Sequence, residues 1–305
     1  KSTPMLIYAI NLNDLEEINQ ALENGENPFA NLAFNGEPSI PLAIACATPN
    51  IKIEIIKALL AKKQNLIHQD MIPYALTCAL DGAVKNKRSD IVQLLLDAGA
   101  KVKFDIYDRR DTPLHIACQL GSKEIVRQLL QAGADVEHVN VMGETPVFKA
   151  VEGFCCGCNG NTCSQCTNAR ETLQILMQSN PNLQHRDRQG ANILMHCGLR
   201  LPNVVQILKE LHIADINAQD SDDVSALMHV CNNPQSYDDR ELIYILVAAG
   251  ANVTLQDKNK RSAVDRLIQA LPTITSEYYD AVAILIHYLQ QVAKAKPLAI
   301  IEDEF

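Results

Sequence analysis

The sequence predicts an all-α solenoid of about eight helix-turn-helix units with short hairpin loops and one Cys-rich insertion. Three observations predict it. Thr112-Pro113-Leu114-His115-Ile116-Ala117 is echoed 33 residues later by Thr145-Pro146-Val147-Phe148-Lys149-Ala150. Gly-Ala pairs close segments at Gly99-Ala100, Gly133-Ala134 and Gly250-Ala251, where Gly takes the left-handed backbone that stops a helix. Aromatic residues are only 5% of the chain and Trp is absent, whereas Ala, Leu and Ile abound, a balance that suits thin helices packed closely together.

Aligned on the Thr-Pro slot, units open at Thr3, Ile40, Ile72, Thr112, Thr145, Asn192, Ser225 and Ser262. A Pro after the slot suits the first helical turn, whose N–H groups have no intrahelical partner. Second helices are expected at Asp14–Leu22, Ile51–Leu60, Asp90–Leu96, Lys123–Leu130, Thr172–Met177, Val204–Leu211, Arg240–Val247 and Tyr279–Leu289. In the clearest of them Ile125, Val126, Leu129 and Leu130 make an apolar stripe at helical spacing. Surplus residues at Asp81–Arg88, Gly153–Ala169 and Asn232–Asp239 are placed in loops, where a stacked architecture tolerates them. Residues 1–290 thus read as one repeat domain carrying the insertion 153–169, and 291–305 as a C-terminal tail.

With those residues in place, the chain resembles the ankyrin-repeat family, whose unit carries Thr-Pro-Leu-His-x-Ala, then Gly, a Val-x-x-Leu-Leu helix and a Gly-Ala ending. The likeness is close at Thr112 and Thr145, moderate at Ser225, and degenerate at Ile40, Ile72, Asn192 and Ser262. It implies that His115, which alone keeps the motif imidazole, ties neighbouring units through backbone hydrogen bonds. It also implies a partner protein bound on the concave face made by hairpin tips and first helices. The degenerate units, and a marked use of Asn, Gln, Ile and Lys, are similar to ankyrin effectors that intracellular bacteria deliver into a host cytosol.

The register divides the ten Cys residues. Cys46, Cys78, Cys118 and Cys231 lie six positions after their slots and Cys197 five after, where a free Cys serves as a compact hydrophobe. The other five crowd into the insertion. Cys155-x-x-Cys158 and Cys163-x-x-Cys166 form two knuckle-spaced pairs, which lets four thiolates turn onto one tetrahedral ion, with Cys156 spare or an alternative ligand. A structural zinc is expected there; disulfides and an iron–sulfur cluster compete for the same thiols. A closed four-Cys site leaves no open position for a substrate, so the ion would fold the loop.

Hydrophobic residues at 47% against 21% charged exclude a disordered chain. A net charge of -9 argues against nucleic acid as the ligand, since phosphate contacts need concentrated Lys and Arg. No apolar run approaches the roughly 20 residues that cross a bilayer, so membrane insertion is not expected and a cytoplasmic, monomeric solenoid is. The opening Lys1-Ser2-Thr3-Pro4 has no Met, which leaves room for a catalytic or targeting segment beyond this chain.

No phosphate loop, His-Glu-x-x-His helix or nucleophile elbow appears in the sequence, so no enzyme is expected. His196 beside Cys197 and His229 near Cys231 are the nearest approach to a Cys–His pair, and both sit on first helices with the Cys facing the core. Candidate partner-binding residues are Tyr107, Arg109, Arg110, Met142, Arg186, Arg188, Asp222 and Asp223 on the tips. The Arg residues suit carboxylates, the Asp residues a basic segment, and Tyr107 and Met142 suit apolar anchoring. Two other readings are a targeting module of a larger enzyme and a metal- or redox-responsive binding module.

Overall fold

The computed structural model describes residues 4–34, 37–65, 70–103, 110–152, 164–196, 216–232, 234, 237–274 and 276–295. The chain divides into two compact units, Lys1–Phe154 with Glu171–Pro181, and Cys155–Arg170 with Asn182–Phe305.

The first unit holds α1 (Met5–Leu12), α2 (Leu15–Glu23), α3 (Pro41–Ala47), α4 (Ile53–Ala61), α5 (Ile72–Lys85), α6 (Ser89–Asp97), α7 (Pro113–Gln119), α8 (Lys123–Gln131) and α9 (Pro146–Glu152). It also takes α10 (Ser164–Met177) from Glu171 onward. α1, α3, α5, α7 and α9 pack in succession as one layer, and α2, α4, α6 and α8 as a second. A two-stranded antiparallel ribbon, β1 (Leu32–Phe34) with β2 (Glu37–Ser39), departs from the helical plan, Leu32 lying opposite Ser39.

The second unit holds α11 (Ile193–His196), α12 (Ala226–Cys231), α13 (Tyr237–Ala248), α14 (Ala263–Ala270) and α15 (Ser276–Lys294). α11, α12 and α14 pack in succession, with α13 on α12 and α15 on α14. The expected second helix at Val204–Leu211 lies outside the described residues.

The slots at Ile40, Thr112, Ser225 and Ser262 are helix N-caps with extended backbone, as the alignment requires. The core fills the small positions that follow: Leu114, Ala117 and Cys118 are buried in α7, and Ala226, Leu227 and Cys231 in α12. The second-helix stripe is confirmed at Ile125, Val126 and Leu129, all buried.

Two slots move. α1 is capped by Pro4, one residue after Thr3, and buries Leu6, Ile7, Ala9 and Ile10. At Ile72 the Ile-Pro pair does start α5, but Pro73 and Tyr74 are exposed, and the fully buried run is Ala79 to Val84. The unit therefore registers on Cys78, and α5 carries an extra stretch of helix before that position, itself packed through Ile72, Ala75, Leu76 and Thr77. The expected loop at 81–88 is helical as far as Lys85, with Asp81 buried and paired to Lys85 at 2.8 Å. Cys78 accordingly leaves the core set: it is half-buried, whereas Cys46, Cys118 and Cys231 are buried free thiols. Burial pushes the Cys46 thiol up to about 12 against the weaker pull of Arg88, and raises Cys118 and Cys231 as well, so these thiols stay protonated and unreactive.

α3 and α5 approach closely at Gly82, where a Cβ would stand 2.9 Å from the Ala47 backbone nitrogen and 3.1 Å from its Cα. Backbone cannot rotate away as a flexible side chain can. Gly82→Ala gains about 1 kcal/mol of helix propensity yet overpacks a core contact at about 1–3 kcal/mol. The expected outcome is net destabilisation of about 1 kcal/mol, read as a lower urea midpoint with unchanged slope; a higher midpoint would contradict the backbone contact.

Candidate functional site

The hairpins before Thr145, Asn192, Ser225 and Ser262 are built the same way. Arg110, Gly143, Gly190, Asp223 and Lys260 each lie two residues before a slot and have φ of 57°, 77°, 73°, 60° and 61°. This left-handed step reverses the chain, and Gly meets it without a Cβ clash. Three residues before that step stand Asn140, Asp187, Asp220 and Asp257. Each Oδ1 accepts the N–H groups two and four residues on: Met142 and Glu144 at 2.9 and 3.0 Å, Gln189 and Ala191 at 2.8 and 2.9 Å, Asp222 and Val224 at 2.8 and 3.0 Å, and Asn259 and Arg261 at 2.8 and 3.0 Å. The short polar side chain thus satisfies amides that a tight turn would leave open.

The second carboxylate oxygen clasps the turn to its own first helix. Asp187 Oδ2 meets His196 Nε2 at 2.8 Å, Asp220 Oδ2 meets His229 Nε2 at 2.9 Å, and Asp257 Oδ2 meets Arg266 at 2.7 Å and Arg261 at 3.0 Å. In the hairpin before Thr145 the roles are redistributed, because Asn140 is uncharged. Buried Glu144 accepts from Asn140 at 2.9 Å and pairs with Lys149 at 2.6 Å. His196 and His229 are thereby engaged with carboxylates, and Cys231 is buried with a raised thiol, so α12 builds no nucleophile. The sequence carries a signal for these clasps beyond any familiar motif: an acid nine residues before a His or Arg, recurring at about the repeat interval.

Hairpins in the second unit are also joined to one another. Ser221 N–H donates to the Gln189 carbonyl at 2.7 Å and Lys258 N–H to the Asp222 carbonyl at 3.1 Å. The Gln219 amide donates to the carbonyls of Asp223 and Gln256, the latter at 3.1 Å. Arg186 donates to the carbonyls of Gly190 at 3.0 Å and Gln219 at 3.3 Å. Three successive tips therefore form one cross-linked rail.

The structure brings Arg186, Arg188, Asp222 and Asp223 onto that rail, all exposed. Arg186 spends donors on the rail itself, and Asp223 serves as its left-handed step. Arg110 and Met142 are exposed tip residues of the first unit, Met142 beside exposed Val139. Tyr107 and Arg109 lie outside the described residues, as do Cys155, Cys158, Cys163, Cys197 and the side chain of Cys166.

His115 performs the role expected of it. Its Nδ1 accepts from the Thr112 N–H at 3.2 Å and the Thr112 hydroxyl at 2.8 Å, which leaves Nε2–H to donate to the Glu144 carbonyl at 3.1 Å. Burial lowers its pKa, more than the Glu144 carbonyl raises it, and keeps the ring neutral, as this bonding pattern requires.

Asp257 supplies a pH test. Burial raises its carboxyl pKa, but the Arg261 amide and the Arg266 and Arg261 side chains outweigh that and hold it at about 2 against an ordinary 3.8. A depressed carboxylate stabilises the fold above its unfolded pKa and loses that contribution as pH falls toward its folded value. Asp257→Asn is expected to lower the melting temperature at neutral pH, and the gap to wild type to narrow between about pH 4 and 2. A pH-independent gap would show that the charge on Asp257 does not matter.

Residues 82–158 match the family model for ankyrin repeats (3 copies). Over 72 residues the chain is 42% identical to the human 2-5A-dependent ribonuclease, covering 23% of this chain and 10% of that protein. Over 71 residues it is 41% identical to human protein phosphatase 1 regulatory subunit 27, covering 22% of this chain and 44% of the relative. The chain therefore spans less than half the length of either relative. Among solved structures, the ankyrin repeat domain of Bcl-3, a member of the IkappaB protein family, superposes with a TM-score of 0.55 at 24% identity, covering 77% of this chain and 98% of that domain. Residues 82–158 thus carry ankyrin repeats, and over 77% of its length the chain shares the fold of a solved ankyrin repeat domain.

Proposed function

We propose that the chain is a protein-interaction module that binds its partner through the hairpin tips and the exposed side of the first helices. The observation that carries this reading is the cross-linked rail, which fixes exposed charged residues on three successive repeats at no cost to the stacking behind them. Preorganised contacts lose little entropy on binding. Met142 and Val139 add an exposed apolar point on the first unit. A relative that is itself a phosphatase regulatory subunit supports a binding role rather than a catalytic one. No helix among the described residues is long and apolar enough to cross a membrane, which fits a monomeric module working in the cytoplasm. The same module would serve a larger enzyme as its targeting domain.

The test is affinity purification with the full chain, followed by titration of the recovered partner. Met142→Asp combined with Arg188→Glu is expected to weaken the complex about tenfold or more, as loss of a central anchor and a charge contact does, while the melting temperature stays unchanged. Wild-type affinity in that variant would remove the hairpins from the binding surface.

The spacing of Cys155, Cys158, Cys163 and Cys166 supports a structural zinc in the insertion. Protein purified without added zinc is expected to carry about one equivalent, and Cys158→Ser to lose it. Metal content unchanged by that substitution would refute the site.

A further inference from the structure

We propose that the rail of the second unit receives an extended segment of a partner protein whose charges read acidic, basic, acidic, with one charge per repeat. This rests on the hairpins being the binding surface and adds which chemistry they select.

Along the rail the exposed tips read Arg188, then Asp222 with Asp223, then Lys258 with Lys260. Positive ends thus flank a negative centre. A polyanion such as nucleic acid would meet repulsion at Asp222 and Asp223, and a polycation would meet it at both ends. Only a segment that alternates in sign satisfies all three tips.

The charges are available. The Asp222 side chain is 79% exposed and that of Lys258 59% exposed, and their mutual contact is a loose 3.8 Å. An exposed pair at that distance contributes little, so exchanging it for partner groups costs little. Their positions are nevertheless fixed, because the Lys258 N–H bond to the Asp222 carbonyl and the Ser221 N–H bond to the Gln189 carbonyl hold the three tips to one another.

Spacing narrows the partner further. Packed helices lie about 8–10 Å apart, and an extended chain rises about 3.3 Å per residue. Once the Lys258–Asp222 contact is exchanged for partner groups and each side chain follows its own tip, matching charges fall on about every third residue: Glu-x-x-Lys-x-x-Glu. The pattern reads the same in both directions, so it fixes the register of a bound strand and leaves its polarity open.

The experiment is fluorescence anisotropy of the full chain at low ionic strength with three labelled peptides. They are Glu-x-x-Lys-x-x-Glu, an isomer of identical composition with its charges adjacent, and Glu-x-x-Glu-x-x-Glu. The first is expected to bind at least about fivefold tighter than either other, as a matched pair of exposed charge contacts allows. In Asp222→Lys/Asp223→Lys that preference should vanish in favour of the all-acidic peptide. The variant should fold, since Lys87 and Lys260 already adopt the left-handed φ required at 223, and its melting temperature checks this.

Equal binding of the three peptides by wild type, or a preference that survives the double substitution, overturns the proposal. If the purified partner still depends on Met142 and Arg188 while the peptides are not distinguished, this charge pattern is wrong and the binding surface stands. If neither holds, both fall.

Discussion

Successive first helices lie so close that backbone meets backbone, and the other features of each unit follow from that approach. Gly82 against Ala47 shows it, with no room for even a methyl group. Elsewhere the interface is made of Ala45, Cys46, Ala117, Cys118 and Ala150, all buried. A short helix with such small residues buries too little apolar surface to be stable alone and must have neighbours. Stacking at this distance also brings the hairpins into line, near enough for the amide of one to reach the carbonyl of the next.

That alignment creates a polar problem which the hairpins solve internally. Each turn must satisfy amides beside a buried helix start, where an unmade hydrogen bond costs about 1–3 kcal/mol. Asn140, Asp187, Asp220 and Asp257 accept these amides with one oxygen. A carboxylate spends its other oxygen on a His or Arg of the first helix, and where Asn replaces it Glu144 takes over, so the design survives a change of residue. His115 does the corresponding work between repeats in the first unit, tying Thr112 to the Glu144 carbonyl with one neutral ring.

Much of this was legible from residue types alone, because helix starts and small core positions are local signals. Thr112, Ser225 and Ser262 cap as their chemistry dictates, and Pro113 follows where a missing N–H is harmless. Ile72-Pro73 shows the limit of such signals. It begins a helix, as a Pro at the first turn should, but the repeat registers on Cys78, six residues later, where an unbroken buried run from Ala79 to Val84 brings Gly82 against α3. A start signal reports where a helix begins and says nothing about which turn holds the repeat register. The clasps were missed for a related reason. His196 and His229 drew notice for their nearness to Cys, whereas their partners stand nine residues upstream on another element, a pairing set by the hairpin's reversal.

The same separation tells which charges a partner can reach. Asp187, Asp220 and Asp257 are hidden by the turns they hold together, although as sequence they look like their neighbours. One or two residues further on, the side chains of Arg188, Asp222 and Lys258 are exposed, and the loose Lys258–Asp222 contact adds little to the stack that their backbones help to hold. Stacking constrains the first set to acids or amides and leaves the second set open to any residue. Where the fold places no demand, composition is free to follow a ligand, and that freedom is why the proposed recognition rests on these exposed positions and not on the buried acids beside them.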